Sequence, residues 1–166
     1  MIIDYRGYGK SEGTPSEDGL YADARAAYDW LIQRGVAPER IVLYGESLGA
    51  AVAIELAVRV PVGKLIVQGA FTNIKEMSGR VIPLIPVHWM MRHNYDNLAK
   101  VSRIAVPKLH IHGTEDEVIP FDQGRRLFEA AAEPKEFYEV SGAGHNDLVG
   151  GEGSRFDDRI KAFLGR

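Results

Sequence analysis

The sequence predicts an α/β fold, a mostly parallel sheet of about five strands with helices on both faces. Three observations carry that prediction. Short apolar runs rich in Ile, Val and Leu alternate with stretches of helical periodicity through most of the chain. One such run turns abruptly into a helix across Gly45-Glu46-Ser47-Leu48-Gly49. Residues suited to acid–base chemistry stand just beyond strand ends, where an open parallel sheet gathers its functional groups.

Met1-Ile2-Ile3-Asp4-Tyr5 reads as the end of a strand, followed by a loop punctuated by Gly7, Gly9 and Gly13. Ser16, after Pro15, is placed to cap a helix over residues 17–34 whose inward face is Leu20, Ala24, Ala27 and Leu31, with Tyr28 flanking. Gly35 ends it, and Ile41-Val42-Leu43-Tyr44 is the next strand. A helix from Leu48 to Arg59 is broken at Pro61 and Gly63, before a strand over residues 64–69. Residues 71–106 are irregular, with Pro83, Pro86 and a dense apolar patch over 81–91. Strands follow over 108–113 and 136–140, with a helix over 121–132 between them. A last helix over 154–164 turns Phe156, Ile160 and Phe163 inward. With no repeat, low-complexity tract or linker, residues 1–166 read as one domain.

Composition narrows the function classes. A chain 45% hydrophobic and 26% charged can build one globular core. Its net charge of −3 is spread with both signs interspersed, so no basic tract points to nucleic acid or to an anionic membrane surface. The absence of cysteine excludes disulfides, thiolate nucleophiles and Cys-based metal sites. No apolar stretch approaches the roughly 20 residues of a membrane span. Asp4 and Arg6 interrupt any leader-like apolar run, so a cytoplasmic location is expected. No His/Asp/Glu spacing suggests a metal, no glycine motif cradles a phosphate, and no cofactor is expected.

G-x-S-x-G between a strand and a helix is the layout of a nucleophile elbow, in which Ser47 is thrust forward in a strained backbone. Gly45 and Gly49 are expected to be glycine because Cβ atoms there would collide with the neighbouring strand and helix. The helix behind Ser47 aims free N–H groups at the point where an oxyanion forms in acyl transfer. Beyond the 108–113 strand runs Thr114-Glu115-Asp116-Glu117-Val118-Ile119-Pro120, and beyond the 136–140 strand Ser141-Gly142-Ala143-Gly144-His145-Asn146-Asp147. A serine, an acid and a histidine thus each follow a strand.

Serine is a weak nucleophile unless a base takes its proton, imidazole can do so near neutrality, and a carboxylate can hold the imidazole in the right tautomer. Asp116 has acidic neighbours, and any one of Glu115, Asp116 and Glu117 could be a solvated charge; the fourth position of G-x-x-D favours Asp116. On that reading, Gln at 115 or 117 should be close to neutral. Among five histidines, His110 and His112 lie within a strand and are expected to be packed or hydrogen-bonded there, while His88 and His93 fall in the irregular segment. His145 alone follows a strand end.

Four motifs, Asp4-Tyr5-Arg6-Gly7-Tyr8-Gly9-Lys10-Ser11, Gly45-Glu46-Ser47-Leu48-Gly49, His112-Gly113-Thr114-Glu115-Asp116-Glu117-Val118-Ile119-Pro120 and Gly142-Ala143-Gly144-His145-Asn146-Asp147, together resemble an α/β-hydrolase-fold serine hydrolase. The branch is the ABHD type, which contains lipid thioesterases that remove palmitate from proteins and many bacterial hydrolases. The resemblance implies Ser47 as nucleophile, Asp116 as the acid, His145 as the base and the Leu48 N–H as one oxyanion donor. It also implies that the first motif follows the family's fourth strand. The chain would then correspond to the carboxyl-terminal two-thirds of the family's domain, without the HG loop that supplies a second oxyanion donor.

The expected function is therefore a cofactor-free serine hydrolase cleaving an ester or thioester of a small-molecule or lipid acyl substrate. Trp89, Met90 and Met91, in a segment (71–106) expected over the active site, are candidate lining for an acyl pocket; the alternative is that they are buried helix surface. Two other functional readings stand beside it: a non-catalytic or weakly active fragment lacking the HG loop, and an amide or peptide hydrolase using the same residues. Without the family's third strand, Met1–Tyr5 is expected either to slide beside Ile41–Tyr44 or to leave an exposed strand edge through which the chain self-associates.

Overall fold

The computed structural model describes residues 1–78, 93–148 and 153–165. Four strands, β1 (Val42–Glu46), β2 (Lys64–Gln68), β3 (Lys108–Gly113) and β4 (Lys135–Val140), form a sheet in the order β1-β2-β3-β4. Every pairing is parallel. Among the described residues the helices are α1 (Glu17–Gln33), α2 (Leu48–Arg59), α3 (Ile74–Ser78), α4 (Leu98–Val101), α5 (Phe121–Ala130) and α6 (Ser154–Leu164), with a 3₁₀ turn at Pro38–Arg40. The α/β class with helices on both faces is what the alternation of apolar runs required.

Period-2 alternation assigns the two faces. Leu65 and Val67 of β2 pack with Ala50, Ala53 and Ile54 of α2, Val101 of α4 and Leu127 of α5. Ile66, Leu109, Ile111 and Val140 turn the other way and meet Phe156 and Phe163 of α6. Both faces of the central strands are therefore buried, in β2 mainly by Leu65, Ile66 and Val67 and in β3 by Leu109 and Ile111 alternating with His110 and His112. The C-terminus of α6 is fastened to the sheet by Lys64, whose Nζ donates to the carbonyls of Phe163 (2.7 Å) and Leu164 (3.0 Å). A cation there also suits the negative end of the helix dipole.

α1 begins as expected: Ser16 is extended, and its hydroxyl accepts the Gly19 N–H at 3.1 Å. Leu20, Ala24 and Tyr28 recur at helical spacing on its buried face, joined by Tyr21, and pack on Ala51, Val52 and Leu56 of α2. Alanines on α2 leave room for it between α1 and the sheet.

Residues 1–5 hold no strand, so among the described residues the sheet has four strands rather than about five, and β1 forms its edge. Local bonds of the first segment explain this. Asp4 accepts the Lys10 N–H (3.2 Å) through its carboxylate and the Ser11 hydroxyl (2.8 Å) through its carbonyl, so the chain folds back on itself. Arg6 is tied to α1 by a two-nitrogen grip on Asp23, the shorter contact being 2.7 Å. Met1, Ile3 and Tyr5 line a hollow beside Leu43 and Tyr44 without pairing with them, and Ile2 is 98% exposed. The patch over 81–91, and with it Trp89, Met90, Met91 and His88, lies outside the described residues.

Candidate active site

Ser47 sits where β1 ends and α2 begins, with φ 53° and ψ −118°, a backbone conformation that L residues rarely adopt. Its N–H donates to the carbonyl of Gln68 at the end of β2 (2.9 Å), and its carbonyl accepts from Ala50 in the first turn of α2 (3.0 Å). The hydroxyl makes no capping bond to the helix it precedes. Gly45 is required by contact: a Cβ there would stand 2.2 Å from the Gly49 carbonyl oxygen. Gly49 departs from expectation, because a Cβ on it would meet nothing within 4 Å. The turn is tight on its strand side and open on its helix side.

Asp116 and His145 meet as the residue types suggested. Asp116 Oδ2 lies 2.8 Å from His145 Nδ1, and both residues are buried. The other carboxylate oxygen accepts the N–H groups of Val118 (2.9 Å) and Ile119 (2.7 Å), which aims Oδ2 at the ring. The bonded carboxylate holds the His145 pKa above the ordinary imidazole value against the opposing effect of burial, and Glu46 and Glu117 push the same way. With Nδ1 engaged, Nε2 is the nitrogen left for chemistry.

The end of β2 joins these parts. Gln68 receives the Ser47 N–H, and the next residue, Gly69 (φ +52°), lies against the imidazole: a Cβ there would be 3.0 Å from His145 Cε1. Gln68 also accepts a hydrogen bond from the Tyr44 hydroxyl through Oε1. Neither Gly69 nor Gln68 was singled out from sequence; a glycine closing an apolar strand is the only sign the sequence carries.

The histidines divide as the strand positions implied. His112 is buried, and its Nε2 donates to the Ile119 carbonyl (2.8 Å) while standing 3.4 Å from Asp116 Oδ2. Burial lowers its pKa, and Gly124 makes space for its ring, since a Cβ at 124 would lie 2.2 Å from Nδ1. His110 packs edge-on to Phe128 (5.6 Å between centroids). His93 stands beside α1, where the Glu17 N–H donates to Nδ1 (3.3 Å). Among the described residues, no group of three or more His, Asp or Glu side chains is arranged to hold a metal ion. No helix among them is long and apolar enough to cross a membrane.

Residues 1–99 match the family model described as serine aminopeptidase, S33. An uncharacterized protein of Mycobacterium tuberculosis is 42% identical over 165 residues, an alignment covering 99% of this chain and 59% of that protein. Human alpha/beta hydrolase domain-containing protein 17B is 39% identical over 166 residues, covering 97% of this chain and 54% of its own. The chain thus spans between half and two-thirds of the length of these relatives. Among solved structures, a Pyrococcus furiosus esterase superposes with a TM-score of 0.79 at 22% identity, covering 98% of this chain and 68% of that one. An alpha-beta serine hydrolase homologue from Coxiella burnetii gives 0.65 at 25% identity, covering 96% and 64%.

Proposed function

Because this chain belongs to the α/β-hydrolase family, through its match to the serine aminopeptidase S33 model, we propose that it is a serine hydrolase acting on acyl esters or thioesters. The observation that carries this reading is the 2.8 Å Asp116–His145 pair standing at the same sheet end as a strained, uncapped Ser47.

In the proposed mechanism His145 Nε2 removes the Ser47 proton as Oγ attacks the acyl carbonyl carbon. The carbonyl π pair moves onto oxygen, and the Leu48 N–H at the start of α2 is proposed to donate to that oxyanion. Collapse restores the carbonyl and expels the alcohol or thiol, which leaves with the proton from Nε2. Water then repeats the sequence on the acyl-enzyme, releasing the carboxylic acid and freeing Ser47. Asp116 keeps the proton on Nδ1 and stabilises the imidazolium formed at each step. A small-molecule or lipid acyl group is the proposed substrate; Trp89, Met90 and Met91 remain proposed lining for it.

The test is turnover of p-nitrophenyl acyl esters and an acyl thioester by the wild-type chain and Ser47→Ala, with the acyl-enzyme trapped for mass spectrometry. An acyl adduct on wild type and none on Ser47→Ala supports the reading. Equal turnover by both proteins contradicts it. The family description favours an amide as the second reading, which parallel turnover of a p-nitroanilide would distinguish.

A further inference from the structure

Four consecutive residues beyond β3 are bonded to the loop that carries His145. The Thr114 hydroxyl accepts the Gly142 N–H (2.8 Å), and the Glu115 N–H donates to the Ala143 carbonyl (3.0 Å). Asp116 takes the His145 ring at 2.8 Å, and Glu117 Oε2 accepts the His145 backbone N–H at 3.3 Å. Two adjacent carboxylates therefore grip one histidine, one by its ring and one by its main chain. Gly144 leaves them room: a Cβ there would stand 2.8 Å from Glu117 Oε2. Its own N–H is held separately by Asp147 Oδ1 at 2.6 Å.

We propose that Glu117 is a positioning residue, whose carboxylate fixes the backbone of His145 so that Asp116 can hold the ring in register with Ser47. The inference rests on the serine hydrolase reading and deepens it. It revises the expectation that Gln at 117 is simply neutral, because Gln keeps an acceptor for the His145 N–H but removes a charge facing the imidazole. The groups facing that ring are Asp116 and Glu117 from the loop after β3, Glu46 from the end of β1 and His112 from β3. Gly69, just beyond β2, adds no charge.

Three variants separate the roles. Glu117→Ala removes acceptor and charge, and kcat should fall roughly 10- to 100-fold with KM little changed, the scale of a misplaced catalytic group. Glu117→Gln should restore most of that turnover at high pH while moving the acidic limb of kcat/KM to lower pH. Gly144→Ala, which displaces the carboxylate without deleting it, should lower kcat in the same sense as Glu117→Ala. Titration of the His145 Cε1 proton by NMR gives a readout independent of turnover: its midpoint should fall in both Glu117 variants. An unchanged midpoint, or a kcat of Glu117→Ala within twofold of wild type, overturns the proposal. If instead Ser47→Ala and His145→Ala leave turnover unchanged, the hydrolase reading fails, and the NMR midpoint still decides whether Glu117 acts on His145.

Discussion

Gly69 forms a floor for His145: a Cβ at 69 would lie 3.0 Å from Cε1 and 3.3 Å from Nδ1 of the imidazole. The residue also has φ +52°, where any L side chain is strained. Gly69→Ala should therefore press on the ring and lower kcat by about 10²-fold, the cost of displacing a reacting group by roughly 1 Å. Steady-state kinetics check this, and a kcat within twofold of wild type would show that the ring has slack.

Asp116→Asn should preserve the fold, because an amide oxygen can still accept from Val118 and Ile119. It should set the histidine in the wrong tautomer and lower turnover by roughly 10⁴-fold, as in serine proteases. Glu115 is exposed, and the bond it gives across the loops comes from its backbone N–H. Glu115→Gln should accordingly stay near wild type in the same assay.

His145 must be neutral to accept the Ser47 proton, and its folded pKa is raised, chiefly by the Asp116 hydrogen bond. Activity should climb with pH through a midpoint above the free histidine value of about 6.5. The same pairing stabilises the fold fully below that value, and the contribution is lost as pH rises through the folded pKa. A kcat/KM profile from pH 5 to 9 measures the midpoint; a value below 6.5 would mean that burial outweighs the carboxylate.

His110 predicts acid sensitivity. It is buried on the α5 side of β3, neither ring nitrogen meets a hydrogen-bond partner among the described residues, and burial pushes its pKa down to about 3. The unfolded chain takes that proton near pH 6.5, so stability falls as pH drops through the window between, by up to about 1.4 kcal/mol per pH unit. Urea melts at pH 7.5 and pH 5 should show wild type losing roughly 1–2 kcal/mol more than His110→Leu. Equal losses would place the acid-sensitive group elsewhere.

What could be read from sequence was what depends on near neighbours. The Ser16 cap, the spacing of Leu20, Ala24 and Tyr28, and the turn at Ser47 each follow from residues within a few positions of one another. The Asp116–His145 pair joins residues 29 apart, yet it could be anticipated because each partner follows a strand of one parallel sheet. The Glu117 bond to the His145 N–H spans 28 residues and depends on the path of a loop, which no periodicity encodes. Gly69 escaped notice for the same reason, since its close contact is with a ring from the far side of β3. An apolar run such as residues 1–5 looks like a strand in sequence whether or not a partner strand lies beside it. Their bonds to Lys10 and Ser11 are side-chain details that composition does not show.

The most direct test of the account is covalent labelling of the wild-type chain by a fluorophosphonate, with the modified residue located by mass spectrometry. The phosphonyl group should be found on Ser47. Ser47→Ala should give no adduct, and His145→Ala should label slower by on the order of 10⁴-fold, because the serine and its base act as a unit. Labelling of Ser47→Ala at the wild-type rate, or an adduct on any residue other than Ser47, would contradict the account.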